Sequence, residues 1–199
     1  MSRQGVGRRE AVRRLALGGL GSAALPAWAE ALVAIADERP HGHAAPVAAG
    51  AAWKPLLLDA HQDATVTAIS ELIIPATDTP GAQGALVNRF IDCVLAAAAE
   101  PEQREFLRGL RFLDGRSRQL FGADFVSARP DEQTALLTTF CSEKDTAPED
   151  EIGRDFWRVI KAMTVAGYYG SQIGLEQELG DKGQMFFVEF EGCRHPEHQ

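Results

Sequence analysis

Through the middle of the chain, apolar residues recur with the 3.6-residue period of amphipathic helices, and five such stretches follow one another. The clearest is Val87, Phe90, Ile91, Val94, Leu95 and Ala98, an unbroken stripe along one helix face. Before it, Val66, Ile69 and Ile73 sit at helical spacing from Asp59 until Pro75 closes the segment. After it, Pro101 opens a third stretch in which Phe106, Leu110, Leu113 and Leu120 face one way and a set of arginines faces solvent on the other. Ser127 or Arg129 then precedes Pro130-Asp131-Glu132, an acidic first turn suited to the positive helix end, with Ala135, Leu136, Leu137 and Phe140 as the buried side. The fifth stretch runs from about Pro148 to Tyr169, with Phe156, Ile160, Met163 and Gly167 on one face and Trp157, Thr164 and Tyr168 beside it. Strand-like alternation occurs only near Met185 to Phe190. The pattern predicts an all-α fold: one bundle-like domain of about five helices over residues 59–199, ending in an irregular tail.

The residues ahead of that domain follow a different pattern. Residues 30–58 are rich in Ala, Pro, His and Gly, including Arg39-Pro40-His41-Gly42-His43, and read as a linker or wrapping arm. Residues 1–29 order a basic region (Arg8-Arg9-Glu10-Ala11-Val12-Arg13-Arg14), an apolar, small-residue stretch from Leu15 to Leu25, and an Ala-x-Ala-like end at Ala27-Trp28-Ala29. That is the tripartite layout of an export signal, with cleavage expected after Ala29. Arg8 and Arg9, followed by a glycine-rich stretch of low hydrophobicity, favour the twin-arginine route, although Ala11 stands where a bulky apolar residue is usual. The other reading of this segment is an amphipathic helix retained in the folded protein. The apolar stretch is too short for the ~20 residues of a membrane span. Gly19-Leu20-Gly21-Ser22-Ala23-Ala24 matches a loose dinucleotide-loop pattern, but arginines rather than a strand lead into it, so it belongs to the signal. A twin-arginine signal implies periplasmic delivery of an already folded protein, a route used when a cofactor is inserted before export. A chain without a cofactor site of its own would then travel with a partner that has one.

Composition narrows the function further. Of 20 basic and 28 acidic residues, the first 29 positions hold five and one, leaving 15 against 27 and a balance of −12 for the body. Such a body repels phosphate backbones, so nucleic acid is not an expected partner. The three cysteines, Cys93, Cys141 and Cys193, form no CxxC and no CxxCH, which argues against chain-borne haem c. No nucleophile elbow, phosphate loop or HExxH is present. Glu149, Asp150 and Glu151 are consecutive acids at a helix start, which the helix dipole explains. Cys193-Arg194-His195-Pro196-Glu197-His198 offers a thiol and two imidazoles at C-x-H-x-x-H spacing. A periplasmic metal-binding protein using that set is therefore the alternative function, against a tail with a paired cysteine and solvated histidines. In an oxidising compartment, Cys193 can pair with Cys93, Cys141 or a partner's cysteine, whereas Cys93 beside the apolar stripe also reads as a buried thiol.

Two segments are more specified than a connection needs. Ile73-Ile74-Pro75-Ala76-Thr77-Asp78-Thr79-Pro80-Gly81-Ala82 combines two prolines, a turn-capping Asp and a Gly. Gly167-Tyr168-Tyr169-Gly170-Ser171-Gln172-Ile173-Gly174 combines paired aromatics with glycines that allow close approach. Either can serve internal packing; as a docking surface, the partner-binding residues would be Pro75, Asp78, Thr79, Pro80, Gly81, Gly167, Tyr168, Tyr169 and Gly174. These pieces, with Phe90-Ile91-Asp92, Glu178-Leu179-Gly180 and Gly192-Cys193, resemble the gluconate 2-dehydrogenase subunit 3 family from about residue 60 to the C-terminus. The resemblance implies a non-catalytic small subunit paired with a large flavoprotein of the glucose-methanol-choline type. That partner holds FAD and oxidises a sugar or polyol, often with a cytochrome c subunit, which would supply haem c and can bring the complex to the membrane. It further implies that the small subunit assists folding of its signal-less partner and carries it through the twin-arginine translocase. No catalytic, cofactor or metal residue is expected in this chain.

Overall fold

The computed structural model describes residues 53–142 and 148–181. They form five α-helices: α1 (Ala60–Ile73), α2 (Val87–Ala97), α3 (Glu100–Phe121), α4 (Pro130–Cys141) and α5 (Glu151–Tyr169). One-turn 3₁₀ helices at Phe125–Ser127 and Pro148–Asp150 precede α4 and α5, and a short π-helix, Ile173–Glu178, follows α5. The all-α expectation holds.

Local chemistry sets each boundary. At α1, Asp59 Oδ1 accepts from Gln62 N at 2.8 Å while Gln62 Oε1 accepts from Asp59 N at 3.0 Å, a reciprocal cap that satisfies two orphan donors. Pro75 ends the helix two residues later. α2 starts from Leu86 in the left-handed region (φ 57°), a conformation that costs a residue with a side chain about 1–2 kcal/mol. At its other end, Gln103 Nε2 donates to the carbonyls of Leu95 and Ala98, both at 3.0 Å, and so holds the start of α3 against the end of α2. Gly122, at φ 80°, closes α3. Arg129 N donates to Glu132 Oε2 at 2.9 Å as α4 begins.

α5 packs against each of the other four helices. Ile160 and Met163 on its inner face are fully buried with Val66, Ile69, Ile91, Val94 and Leu113. Each contributes roughly 1.5–3 kcal/mol relative to exposure. Rings fill places where glycine leaves room: Phe140 lies against Gly153, and Phe156 against Gly109, too close in each case for a Cβ. Phe156 also meets Phe106 edge-on, ring centres 5.2 Å apart.

Buried polar side chains fix how these helices sit. Asp92, fully buried on α2, accepts from the backbone N–H groups of Leu56, Leu57 and Leu58 at 2.5, 3.0 and 2.9 Å. The end of the expected linker is thereby pinned to the domain. Arg89 adds a cation–π contact with the Trp53 ring at 5.1 Å. Asp114 on α3 joins α1 to the 3₁₀ turn, with Oδ2 2.6 Å from His61 Nε2 and Oδ1 accepting from Phe125 N at 3.0 Å. Asp150 is buried, its Oδ1 3.0 Å from Arg116 Nε and its Oδ2 accepting from Nη2 at 3.2 Å. The Nε approach is a charge contact without hydrogen-bond alignment.

Several expectations change. Leu120 is half exposed because Ser117, not Leu120, continues the inner face of α3. Ala135 is exposed while Leu136, Leu137 and Phe140 are buried. The arginine face of α3 is solvated at Arg104, Arg108, Arg111 and Arg118, but Arg116 turns to Asp150. Asp150 therefore answers a half-buried cation as well as a helix end. Cys93 is exposed, not buried, because it lies on the far side of α2 from Ile91 and Val94. Gly167, Tyr168 and Tyr169 belong to the last turn of α5, not to a loop. The strand-like Met185–Phe190 lies outside the described residues.

Two measurements check these pins. Asp92→Asn should destabilise the chain by about 2–4 kcal/mol in urea unfolding, since one amide oxygen cannot serve three buried donors. Hydrogen bonding to Asp114 raises the His61 pKa above its ordinary 6.5, opposed by desolvation and helped by the charges of Asp114, Asp124 and Asp59. Its stabilisation is complete below about pH 6.5 and is lost as pH rises through the raised value. Wild-type stability should therefore fall across neutral pH relative to His61→Gln, and equal slopes for the two would contradict the pair.

Candidate functional site

The two segments singled out by their composition meet at the C-terminal end of α5. Glu71, in the last turn of α1, organises the first of them. Its Oε1 accepts from Ala76 N at 2.9 Å and its Oε2 from Gln83 N at 2.8 Å, so one carboxylate closes the loop. Gly81 has to be glycine because a Cβ there would lie 2.5 Å from both Ala76 N and Glu71 Oε1. Ala82 N donates to Ile74 O at 2.9 Å and Thr77 N to Thr79 O at 3.0 Å, which shapes the turn between. Thr77 Oγ1 donates to Asp78 Oδ1 at 2.9 Å, and this bond, aided by the backbone N–H groups of Asp78 and Thr79, holds the exposed Asp78 carboxyl below its usual range.

Tyr168 joins this loop to α5. Almost wholly buried, it donates its hydroxyl to Pro80 O at 3.0 Å. Thr79 Oγ1 donates to Glu178 Oε2 at 2.7 Å and lies 3.4 Å from the Tyr168 hydroxyl. Each hydroxyl has a single proton already given to a better acceptor, so the 3.4 Å approach is a polar contact rather than a third bond. Beyond α5 the chain folds back on itself. Ser171 Oγ donates to Tyr168 O at 2.6 Å and accepts from Gly174 N at 3.0 Å. Gly174 lies so close under the Tyr168 carbonyl that no side chain fits. Gly167 likewise leaves room for the Phe90 ring, 2.6 Å from where a Cβ would be.

The nine expected partner-binding residues thus separate by position. Gly81, Gly167, Tyr168 and Gly174 are buried and form the internal lock, Thr79 and Pro80 are half-buried, and Pro75, Asp78 and Tyr169 are exposed. Leu175 and Leu179 extend the exposed apolar part along the π-helix. Among the described residues, this region brings together no catalytic acid–base pair, and no group of three or more His, Cys, Asp or Glu is placed to hold a metal. The described residues contain no strand. No described helix is long and apolar enough to cross a membrane. Arg8, Arg9 and the Cys193–His198 set lie outside the described residues.

The segments that interlock here match a known family over most of the domain: the family model described as gluconate 2-dehydrogenase subunit 3 matches residues 60–183. The chain belongs to the gluconate 2-dehydrogenase subunit 3 family. No curated protein and no solved structure matches it. As a member of the subunit 3 family, the chain is a small subunit of an oxidoreductase complex.

Two residues that organise this subunit 3 region were not expected to take part in it, although Glu178 stood in one of the segments that carry the resemblance. Glu71 reads as an ordinary polar position on α1, and Glu178 became a partner only once the π-helix brought it to Thr79. Tyr168→Phe should cost about 1 kcal/mol in thermal or urea unfolding, the worth of one buried hydroxyl bond. Loss of hydrogen-exchange protection should concentrate in residues 76–82 and 171–179, whereas uniform loss would mean that Tyr168 does not hold the two segments together.

Proposed function

We propose that this chain is a non-catalytic small subunit that accompanies an FAD-bearing large subunit of the glucose-methanol-choline type, assists its folding and carries it through the twin-arginine translocase to the periplasm. The observation that carries the reading is the family match over residues 60–183, on a chain whose first 29 residues are ordered as an export leader. The position of Arg8-Arg9 ahead of a glycine-rich apolar stretch supports the route, since that pathway accepts folded cargo.

In this reading, oxidation of a sugar or polyol at FAD belongs to the large subunit, with a cytochrome c subunit as the outlet for electrons. The small subunit supplies a rigid surface. Pro75, Asp78 and Tyr169, with Leu175 and Leu179 beside them, form the exposed rim above the Tyr168 lock, a mixture of apolar area and one fixed charge suited to docking. The hydrogen bond from Thr77 that lowers the Asp78 pKa favours its ionised form, which gives the rim its negative charge.

Co-expression with the large subunit tests the proposal. With Arg8 and Arg9 both changed to Lys, flavoprotein activity should leave the periplasmic fraction and remain in the cytoplasm. A large subunit that folds, binds FAD and reaches the periplasm unchanged under those conditions would end the escort role.

A further inference from the structure

Toward the other end of α5, about 18 Å along the axis from Tyr168, lies a half-open apolar groove. It is bounded by the end of α2, the first turns of α3 and the N-terminal half of α5, and encloses about 220 Å³. Leu95, Phe106, Phe156 and Val159 form its walls. Small-molecule sites usually enclose roughly 300–1,000 Å³, so the groove suits one long side chain better than a cofactor.

Every charged group lining it is acidic: Glu102, Glu105 and Asp155. Glu105 and Asp155 already meet Arg108 and Arg158 on their own helices, at exposed positions. Glu102 differs. Its Oε2 is shielded from solvent and accepts no hydrogen bond among the described residues. A desolvated carboxylate oxygen without a donor is costly, and a donor arriving from outside would relieve that cost.

We propose that this groove receives an arginine-bearing apolar segment of another subunit of the complex, its aliphatic stem on the Leu95–Phe156–Val159 wall and its guanidinium on Glu102. Arginine fits better than lysine because its weakly hydrated fork tolerates an apolar setting and presents several donors to the acidic rim. A buried anchor of this kind, at a pocket lined by rings, is the usual form of an interface hot spot. The inference rests on the chain being a complex subunit and adds a second contact, separate from the Tyr168 rim.

The test uses the full chain and the large subunit, with affinity measured by biolayer interferometry. Glu102→Lys and Val159→Asp should each weaken binding by about tenfold or more, and Glu102→Gln by less. Leu120→Asp, at a half-exposed position near the opposite end of α3, should bind as wild type. Each isolated variant should melt within about 2 °C of wild type, which separates lost docking from lost folding. Hydrogen exchange should slow over residues 100–107 and 152–159 when the complex forms. Wild-type affinity in both groove variants, with the complex itself intact, overturns the groove proposal and leaves the escort reading standing. Failure of the wild-type chain to bind the large subunit overturns both. Protection already present in the isolated chain and lost on removing residues 182–199 would make the chain's own tail the occupant and overturn the proposal as well.

Discussion

All four other helices pack against α5, so the surface of α5 has to satisfy four neighbours at once. A helix has one circumference, and near its C-terminal end three kinds of contact divide it. Thr164 meets Ser70 of α1 at 3.2 Å, Gly167 takes the Phe90 ring of α2, and Tyr168 reaches Pro80. Earlier turns meet α3 and α4 through Phe156 and Gly153. Glycines at 153 and 167 look like weak points in a helix, costing up to about 1 kcal/mol each, but they let phenyl rings from other helices approach its axis. The packing gained exceeds the propensity lost.

Around that helix, carboxylates rather than apolar area decide orientation. Asp92, Asp114 and Asp150 are all buried, and each joins pieces distant in sequence: the arm to α2, α1 to the 3₁₀ turn through α3, and α3 to the entry of α5. Hydrophobic burial is non-directional and would accept several rotations of these helices. A buried carboxylate accepts few, because it is stabilised only where its donors converge. The domain therefore combines a non-specific driving force with three specific pins.

The same division runs through the functional region. Tyr168, Gly81 and Gly174 are buried and build a lock, and the exposed rim of Pro75, Asp78 and Tyr169 stands on it. At the opposite end of α5, the groove beside Glu102 has the converse character: its apolar walls and acidic edge surround one carboxylate oxygen that accepts no hydrogen bond among the described residues.

Much of this was legible along the chain because helices are local objects. The stripe from Val87 to Ala98, the spacing of Val66, Ile69 and Ile73 between Asp59 and Pro75, and Pro130 with its acidic turn are each written within a few residues, and the structure keeps all three helices. The acidic body is likewise a matter of composition. Local pattern also picked out Pro75–Ala82 and Gly167–Gly174 as unusual, yet not that they are one site. Periodicity could not reveal that Leu120 faces out while Ser117 faces in, that Arg116 leaves the solvated face for Asp150, or that Glu71 closes a loop five to twelve residues beyond it. Those outcomes depend on where another helix lies in space. A residue's neighbours at 3 Å are set by chain segments 30 to 90 positions away, and only the folded arrangement brings them together.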